Sequence, residues 1–132
     1  MTQYDDNYAT CERTYATFRI YGIPPHQVTE ALRVQPTEMQ TASGPARPDA
    51  WVLSSKTAVE SRDVRRHIDW CLDQLGSKGE ALARLRADGA RMDIFCYWLS
   101  ASGHGGPTIA PAQAAKLAAL DLDCGFDVYI VR

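Results

Sequence analysis

Three segments of the chain alternate between apolar and polar residues, and this period of two is the strongest constraint on the fold. In "RTYATFRIYG", apolar residues at even positions alternate with polar and tyrosine residues at odd ones, as Phe18 and Ile20 do with Arg19 and Tyr21. The segment "CGFDVYIVR" repeats the pattern. The segment "RMDIFCYWLS" has the same period but carries apolar residues on both faces, which predicts a strand that is central in its sheet. Because successive side chains of a strand point to opposite faces, each segment predicts a β-strand.

The alternation also divides the side chains of the predicted sheet between two faces. One face is almost wholly apolar and is expected to lie under the helices: Ala16, Phe18, Ile20, Ile94, Cys96, Trp98, Phe126, Val128 and Ile130. The other face is rich in tyrosine and carries acids and a base: Tyr15, Thr17, Arg19, Tyr21, Asp93, Phe95, Tyr97, Asp127 and Tyr129. A buried face rarely holds so many ionisable groups without partners. This second face is therefore either half-open or covered by the last helix or a second copy of the chain.

Helical spacing of apolar residues predicts four helices between the strands. The strongest is "VESRDVRRHIDWCLDQLG", where His67 is expected at the boundary or surface and Asp69 on the solvated face, four residues after Arg65. A short helix is predicted over about 25–33, and two more in "KGEALARLRADG" and "APAQAAKLAALD". Between the first two helices, "TEMQTASGPARPDAWVLSS" predicts a hairpin with an irregular tip.

The resulting element order, β-α-β-β-α-α-β-α-β, predicts an α+β fold. Its first six units resemble a ferredoxin-like split βαβ sandwich, extended by a helix and a final strand. We expect a mainly antiparallel sheet with the helices on one face. The 132 residues suit a single α+β domain over 12–132, preceded by a flexible N-terminus over 1–11.

Composition and charge narrow the possible partners. A net charge of −2 argues against nucleic-acid binding, which relies on a dense basic surface. The sequence has no apolar run that suits a membrane span and does not start like a signal peptide, so we expect a cytoplasmic protein that binds no membrane. The four cysteines form no CxxC pair, which predicts reduced thiols and neither a metal site nor a cofactor.

A glycine-rich loop, "SASGHGGPTIAP", contains the one histidine that suggests chemistry. His104 would act as an acid or base, Gly105 and Gly106 would offer N–H donors at a helix start, and Trp98 would form a wall. The spacing matches no P-loop, dinucleotide fingerprint, nucleophile elbow or zinc-protease motif. The simpler interpretation, which we favour, is a flexible strand–helix connection with a solvated histidine.

Two acids on the tyrosine-rich face offer a second chemical possibility. Asp93 and Asp127 form a carboxylate pair for acid–base work if their strands are neighbours. We favour the alternative, in which each pairs with an arginine such as Arg19 or Arg91, or faces water.

Several spaced segments together resemble one family. "YATFRIYG", the "PT" after the first helix, "AWVLSS", the helix pair, "FCYWLSASGHGGPTIAP" and "DLDCGFDVYIV" follow the order found in the bacterial domain of unknown function 4279, from about Tyr15 to Val131. The resemblance implies a small bacterial α+β domain and supplies no activity or catalytic residues. Members are similar in size and style to immunity proteins that neutralise toxins, which is an analogy of fold and style.

These observations favour a binding protein over an enzyme. The expected contact residues are Tyr15, Arg19, Tyr21, Tyr97, Asp127 and Tyr129, since tyrosine gives large contact area and keeps a polar group. The partner would be a protein, either a toxin or a second copy of the chain. The alternative is a small-molecule-binding protein or hydrolase-like enzyme that uses the loop around His104.

Overall fold

The computed structural model describes residues 2–130 and shows an α+β fold, as predicted. The elements in chain order are β1 (Cys11–Tyr21), α1 (Pro25–Leu32), β2 (Glu38–Gln40), β3 (Ala50–Ser54), α2 (Val64–Leu75), α3 (Gly79–Ala87), β4 (Arg91–Ser100), α4 (Pro111–Ala119) and β5 (Asp123–Ile130). Met1 of the predicted tail and residues 131 and 132 of the predicted domain lie outside the described residues. No helix within residues 2–130 combines the length and apolar character needed to cross a membrane.

The five strands form one mixed sheet in the order β2-β3-β1-β4-β5. The pairs β2–β3, β3–β1 and β1–β4 are antiparallel, and β4–β5 is parallel. The parallel pair arises because α4 carries the chain back before β5 begins, so that β5 runs in the direction of β4. The sheet is therefore mainly antiparallel with one parallel edge.

The helices pack on one face of the sheet, where the apolar residues of β1 and β4 lie. Helix α2 contacts β1 and β4, α1 contacts β3, and α3 and α4 pack against α1 and α2. Phe18, Ile20, Ile94 and Trp98 are all buried beneath them. The alternation in "RTYATFRIYG" and "RMDIFCYWLS" thus identified the core-facing side of both strands, since a strand half-covered by helices buries every second residue.

The prediction for the last strand was wrong at two residues. Val128 and Ile130 were expected under the helices, yet they are 51% and 56% exposed. The reason is that β5 is the edge strand and α4 packs against α2 instead of lying over the end of β5. Phe126, nearer the start of the strand, is half-buried against the core.

Two predictions for helix α2 were also wrong. His67, expected at the boundary or surface, is buried, and so is Asp69, which was placed on the solvated face. Asp69 accepts hydrogen bonds from Tyr4 and Gln113 and pairs with Lys116, whereas Arg65 pairs with Asp63. The N-terminal segment and α4 cover Asp69, whereas the His67 ring contacts Ser55, directly after β3, and the carbonyl of Ser61.

The N-terminal segment before β1 is tied to the domain by side-chain and backbone contacts. Tyr4 donates to Asp69, the Asp5 amide donates to Asp63, and the Tyr8 hydroxyl donates to the carbonyl of Gly106. Burial and the Asp69 carboxylate raise the pKa of Tyr4 to about 12. Flexibility over 1–11 stays a prediction about motion, and these contacts are the interactions that such motion would have to break.

Candidate functional site

The side chains at odd positions of β1, β4 and β5 form a face that the helices leave uncovered. We call it the aromatic face, and its members are Tyr15, Arg19, Tyr21, Asp93, Phe95, Tyr97, Asp127 and Tyr129. All are half-buried except Tyr129, which is 47% exposed on the edge strand. The structure therefore brings the six predicted contact residues onto one surface. Their role in binding stays a prediction.

Three tyrosine rings form a row across this face. Tyr15 and Tyr97 are directly opposed on β1 and β4, and their ring centroids are 5.1 Å apart with planes at 23°. The ring of Tyr129 on β5 is 5.2 Å from that of Tyr97, tilted by 35°. The ammonium group of Lys56 lies 5.4 Å from the Tyr15 centroid, at the opposite end of the row from Tyr129. Rings at such spacings attract one another, so the row is a preformed surface.

Beside the row, Arg19 occupies a site made of a carboxylate and two rings. Its Nε and Nη2 donate to Asp93 at 2.8 and 2.7 Å, a two-point ion pair between opposed residues of β1 and β4. The guanidinium carbon lies 4.1 Å from the centroid of Phe95 and 5.8 Å from that of Tyr21. The hydrogen bonds to Asp93 raise the pKa of Arg19 above its ordinary value.

A glycine on the edge strand makes room for this arginine site. Gly125 is opposite Phe95 in the β4–β5 register. A Cβ at this position would lie 3.2 Å from Cδ1 of Phe95, so a side chain here would press on the ring that Arg19 covers. The sequence suggested no role for Gly125, because its only signal is a missing side chain opposite an aromatic residue.

Asp127 lies at the other end of the aromatic face, opposite Tyr97 in the register. One of its carboxylate oxygens accepts from the Tyr129 hydroxyl at 2.8 Å. This hydrogen bond and the negative charge of Asp127 raise the pKa of Tyr129. Within residues 2–130, no basic side chain forms an ion pair with Asp127. Asp127 therefore places a half-buried carboxylate beside two tyrosine side chains.

The structure separates the two acids that sequence reasoning considered as a pair. Asp93 is opposite Asp123 on β5, and Asp127 lies four residues further along that strand. The favoured alternative, that Asp93 pairs with Arg19, is confirmed by their two hydrogen bonds. A shared acid–base site at these carboxylates is therefore excluded by their separation.

The glycine-rich loop places His104 at an exposed position. Its Nε2 lies 3.3 Å from the Ser102 hydroxyl, and its backbone carbonyl accepts from the Ser100 hydroxyl. Within residues 2–130, no carboxylate is in hydrogen-bonding distance of its ring. The loop thus offers a solvated histidine beside a serine, without the third group that would orient the imidazole as a base.

The other predicted residues of the loop site have structural contacts. The carbonyl of Gly106 accepts a hydrogen bond from the Tyr8 hydroxyl. Gly105 has a φ of +86°, a backbone conformation that is strained for any residue with a side chain. Trp98 is 1% exposed, and its ring meets that of Tyr8 edge-on at 6.4 Å. Four surface grooves of about 400 to 860 Å³ are lined entirely by residues outside 100–111. None of these four grooves therefore supplies the loop with the concave wall of a small-molecule site.

A groove of about 860 Å³ lies between the N-terminal segment and the loop that follows β3. Three acids and three bases line it: Asp6, Glu12, Glu60, Arg13, Lys56 and Arg62. Its charges are balanced, so it favours neither anions nor cations. It shares no residue with the aromatic face.

Two thiols on β4 and β5 lie close together on the helix side of the sheet. The Sγ atoms of Cys96 and Cys124 are 3.9 Å apart, Cys96 is buried and Cys124 is half-buried. Sequence spacing gave no signal for this pair, because the residues are 28 positions apart and meet only through the parallel pairing of the strands. Within residues 2–130, no three His, Cys, Asp or Glu side chains are arranged to hold a metal ion.

Comparison with known proteins gave one result. The family model described as Domain of unknown function (DUF4279) matches residues 12–131, which is nearly the whole chain. The resemblance inferred from the spaced segments is thereby confirmed. Searches of curated proteins and of solved structures found no significant match.

Proposed function

Because the chain belongs to the family of the Domain of unknown function (DUF4279), whose description states no activity, we propose a function from its surface. The chain is a protein-binding domain, and the aromatic face is its binding surface. The partner presents an arginine, whose guanidinium group packs on the rings of Tyr97 and Tyr129 and pairs with Asp127.

The observation that carries this proposal is that the aromatic face contains the same kind of site twice. At the first site, Asp93 and the rings of Phe95 and Tyr21 hold the guanidinium group of Arg19. At the second, Asp127 lies beside the rings of Tyr97 and Tyr129 and has no basic partner among residues 2–130. A planar guanidinium group pairs with a carboxylate and stacks on an aromatic ring at once, so it complements the second site as it fills the first.

The surroundings of the second site favour a protein over a small molecule. Tyr129 is nearly half-exposed on an edge strand, and the row of tyrosines continues to Tyr15. The four grooves described above contain no residue of this row. Exposed Val128 and Ile130 lie on the same strand and extend the apolar surface towards its other face. Interfaces between proteins are enriched in tyrosine and arginine, whereas small molecules are bound in clefts.

The experiment is a titration of the isotope-labelled protein, followed by nuclear magnetic resonance, with a capped Ala-Arg-Ala peptide. The matched probe is the same peptide with citrulline, which keeps the shape of arginine but carries no charge. We expect the arginine peptide to shift the resonances of Tyr97, Asp127 and Tyr129 most strongly, and the citrulline peptide to shift them much less. Equal shifts with both peptides, or shifts centred elsewhere, would overturn the proposal.

Two substitutions on β5 sharpen this test. Asp127→Asn removes the carboxylate that lies beside the rings and should abolish the difference between the two peptides. Asp123→Asn removes an exposed carboxylate on the same strand that lies opposite Asp93, and should leave the difference unchanged. If the wild-type protein proves to be a stable dimer whose interface covers Tyr129, the partner is a second copy of the chain and the arginine proposal fails. An immunity-like role is one form of the proposal, in which the partner is a toxin.

We also propose a ferredoxin-like arrangement for the first four strands. In the order β2-β3-β1-β4, strand β3 lies between β1 and β2, and β1 lies between β3 and β4. The two strands joined through α1, β1 and β2, therefore have β3 between them, and β3 and β4, joined through α2 and α3, have β1 between them. This interleaving supports a ferredoxin-like arrangement. Helix α4 and strand β5 then extend this unit.

A cytoplasmic location is a further proposal. The four cysteines are free, and Cys11, Cys71 and Cys96 are buried as thiols. Free thiols are typical of proteins from reducing compartments, which supports this location.

A further inference from the structure

The thiols of Cys96 and Cys124 are placed to react with each other. Their Sγ atoms are 3.9 Å apart on neighbouring strands. A disulfide has a sulfur–sulfur length of about 2.05 Å, so the two atoms must approach by roughly 2 Å. Strand β5 has β4 as its only neighbour in the described sheet, which leaves the edge strand free to supply this movement.

The two thiols differ in exposure and in proton affinity. Cys96 is fully buried, whereas Cys124 is half-buried, so an oxidant in solution reaches Cys124 first. The hydrogen bond from the Cys96 thiol lowers the pKa of Cys124, while the same bond and burial raise the pKa of Cys96. Cys124 is therefore the thiol that an oxidant reaches more easily and that loses its proton more readily, whereas Cys96 is enclosed beside it.

The other two cysteines have neither the partial exposure nor the lowered pKa of Cys124. Cys11 and Cys71 are buried, and burial raises the pKa of these thiols to about 11 and about 12. The Cys71 thiol lies within 3.8 Å of the carbonyl oxygens of Ala16 and Leu53, so it has backbone partners. Both residues serve as internal controls.

We propose that Cys96 and Cys124 are a peroxide-oxidised thiol pair whose disulfide ties edge strand β5 to β4. In the first step the Cys124 sulfur attacks hydrogen peroxide, the O–O bond breaks, and sulfenic acid and one water form. In the second step the Cys96 sulfur attacks the sulfenic sulfur, the S–O bond breaks, and the Cys96 proton leaves with the hydroxyl as a second water. The two thiols lose two electrons in total and one peroxide gains them.

Trypsin separates the four cysteines, which makes the test direct on the wild-type protein. Cleavage after Arg and Lys places Cys96 in peptide 92–116, Cys124 in 117–132, Cys71 in 67–78 and Cys11 in 1–13. After brief exposure of the folded protein to a few equivalents of peroxide, we expect a mass loss of about 2 Da and a reducible link between peptides 92–116 and 117–132. Cys11 and Cys71 should remain free thiols.

Two variants identify the order of the steps. Cys96→Ala should leave Cys124 as a sulfenic acid that a 1,3-diketone reagent traps, and Cys124→Ala should leave Cys96 unmodified. The matched control, Cys71→Ala, should form the same link as the wild type. Wild-type protein whose two peptides stay unlinked, are linked only between molecules, or are joined to peptide 67–78 would overturn the proposal. The inference is independent of the proposed arginine site.

Discussion

Ser55 and His67 form a buried hydrogen bond, with Oγ 2.7 Å from Nδ1, that joins the end of β3 to α2. The other ring nitrogen, Nε2, lies 2.8 Å from the carbonyl of Ser61 and must donate to it. Nδ1 therefore accepts the proton of the Ser55 hydroxyl, whose oxygen accepts from the Ala16 amide. All four groups are satisfied only when the imidazole is neutral.

The first prediction is a loss of stability in mild acid that depends on His67. Burial lowers the pKa of His67 below 6.5. The negative charges of Asp63 and Asp6 raise this pKa and the positive charge of Arg66 lowers it, but burial has the largest effect. The His67 imidazole then binds a proton more readily in the unfolded chain than in the folded one. The contribution of neutral His67 to stability is therefore present above pH 6.5 and is lost as pH falls below it. We expect the free energy of unfolding in urea to fall between about pH 7.5 and 5.5.

Two substitutions isolate this effect. His67→Gln should be less stable than the wild type at neutral pH, but its stability should change less over the same pH range. His104→Gln removes an exposed histidine and should keep the wild-type slope. A wild-type slope in folded His67→Gln would contradict the assignment.

The second prediction concerns Asp69, which connects the N-terminal segment, α2 and α4. It accepts from Tyr4 and Gln113 and pairs with Lys116, and it is 5% exposed. Asp69→Ala leaves these donors without their acceptor and should lower the free energy of unfolding by about 2–3 kcal/mol. Hydrogen exchange should also become faster over residues 2–10, whose contacts with α2 weaken.

Asp73→Ala is the matched control for Asp69→Ala. Asp73 lies one helical turn further along α2 and pairs with the same Lys116, but its side chain is 65% exposed. Its removal should change stability by less than about 0.5 kcal/mol. If the two substitutions lowered the free energy of unfolding equally, the buried hydrogen bonds of Asp69 would stabilise the protein no more than the exposed ion pair of Asp73.

Much of the fold could be predicted from local patterns, and the burial of Asp69 shows where they stop. The alternation in β1 and β4 identifies their buried sides because a half-covered strand has a period of two. Asp69 belongs to a charged stretch of α2 that looks solvated, but it is buried and contacts residues distant in sequence, among them Tyr4 and Gln113. Val128 likewise continues an apolar alternation, but its exposure depends on where α4 packs.

The third prediction tests the structural role of the glycine-rich loop. Gly105 has a φ of +86°, and a Cβ there would clash with the side chain of Thr10. Gly105→Ala should therefore destabilise the protein by about 1–3 kcal/mol, measured by urea unfolding. Gly106→Ala meets no atom within 4 Å and should be nearly neutral. If Gly105→Ala were as stable as Gly106→Ala, the close packing of the loop on Thr10 would be wrong.

The candidate site was only partly predictable, for a reason that its tyrosines illustrate. The odd-numbered positions of Tyr15, Tyr97 and Tyr129 place them on one face of the sheet, because successive side chains of a strand point to opposite faces. The row itself depends on register and strand order, because Tyr15 meets Tyr97 across an antiparallel pair and Tyr129 joins them through a parallel one. The same register separates Asp93 from Asp127, although the alternation of side chains alone allowed them to be neighbours.

The fourth prediction compares two ion pairs of similar geometry in different surroundings. Arg19 and Asp93 form two hydrogen bonds with side chains 27% and 31% exposed, and the guanidinium group covers Phe95. Arg66 and Asp6 also form two hydrogen bonds, with side chains 41% and 48% exposed. Each guanidinium carbon lies close to an aromatic centroid, 4.1 Å from Phe95 for Arg19 and 4.2 Å from Tyr4 for Arg66. The two pairs therefore differ in their shielding from solvent, which should give the Arg19–Asp93 pair a coupling energy of about 1 kcal/mol and the Arg66–Asp6 pair a smaller one.

Double-mutant cycles in urea measure both energies, with Arg19→Met and Asp93→Ala for one pair and Arg66→Met and Asp6→Ala for the other. Arg19→Lys keeps the charge but loses the two-point geometry and the planar stack, so it should recover less than half of the Arg19–Asp93 coupling. That result would show that the carboxylate and ring together select a guanidinium group, which is the property proposed for Asp127, Tyr97 and Tyr129. Equal coupling in the two pairs would contradict the role of shielding from solvent. Full recovery by lysine would remove the support for a guanidinium-selective site, because the first site would then recognise charge alone.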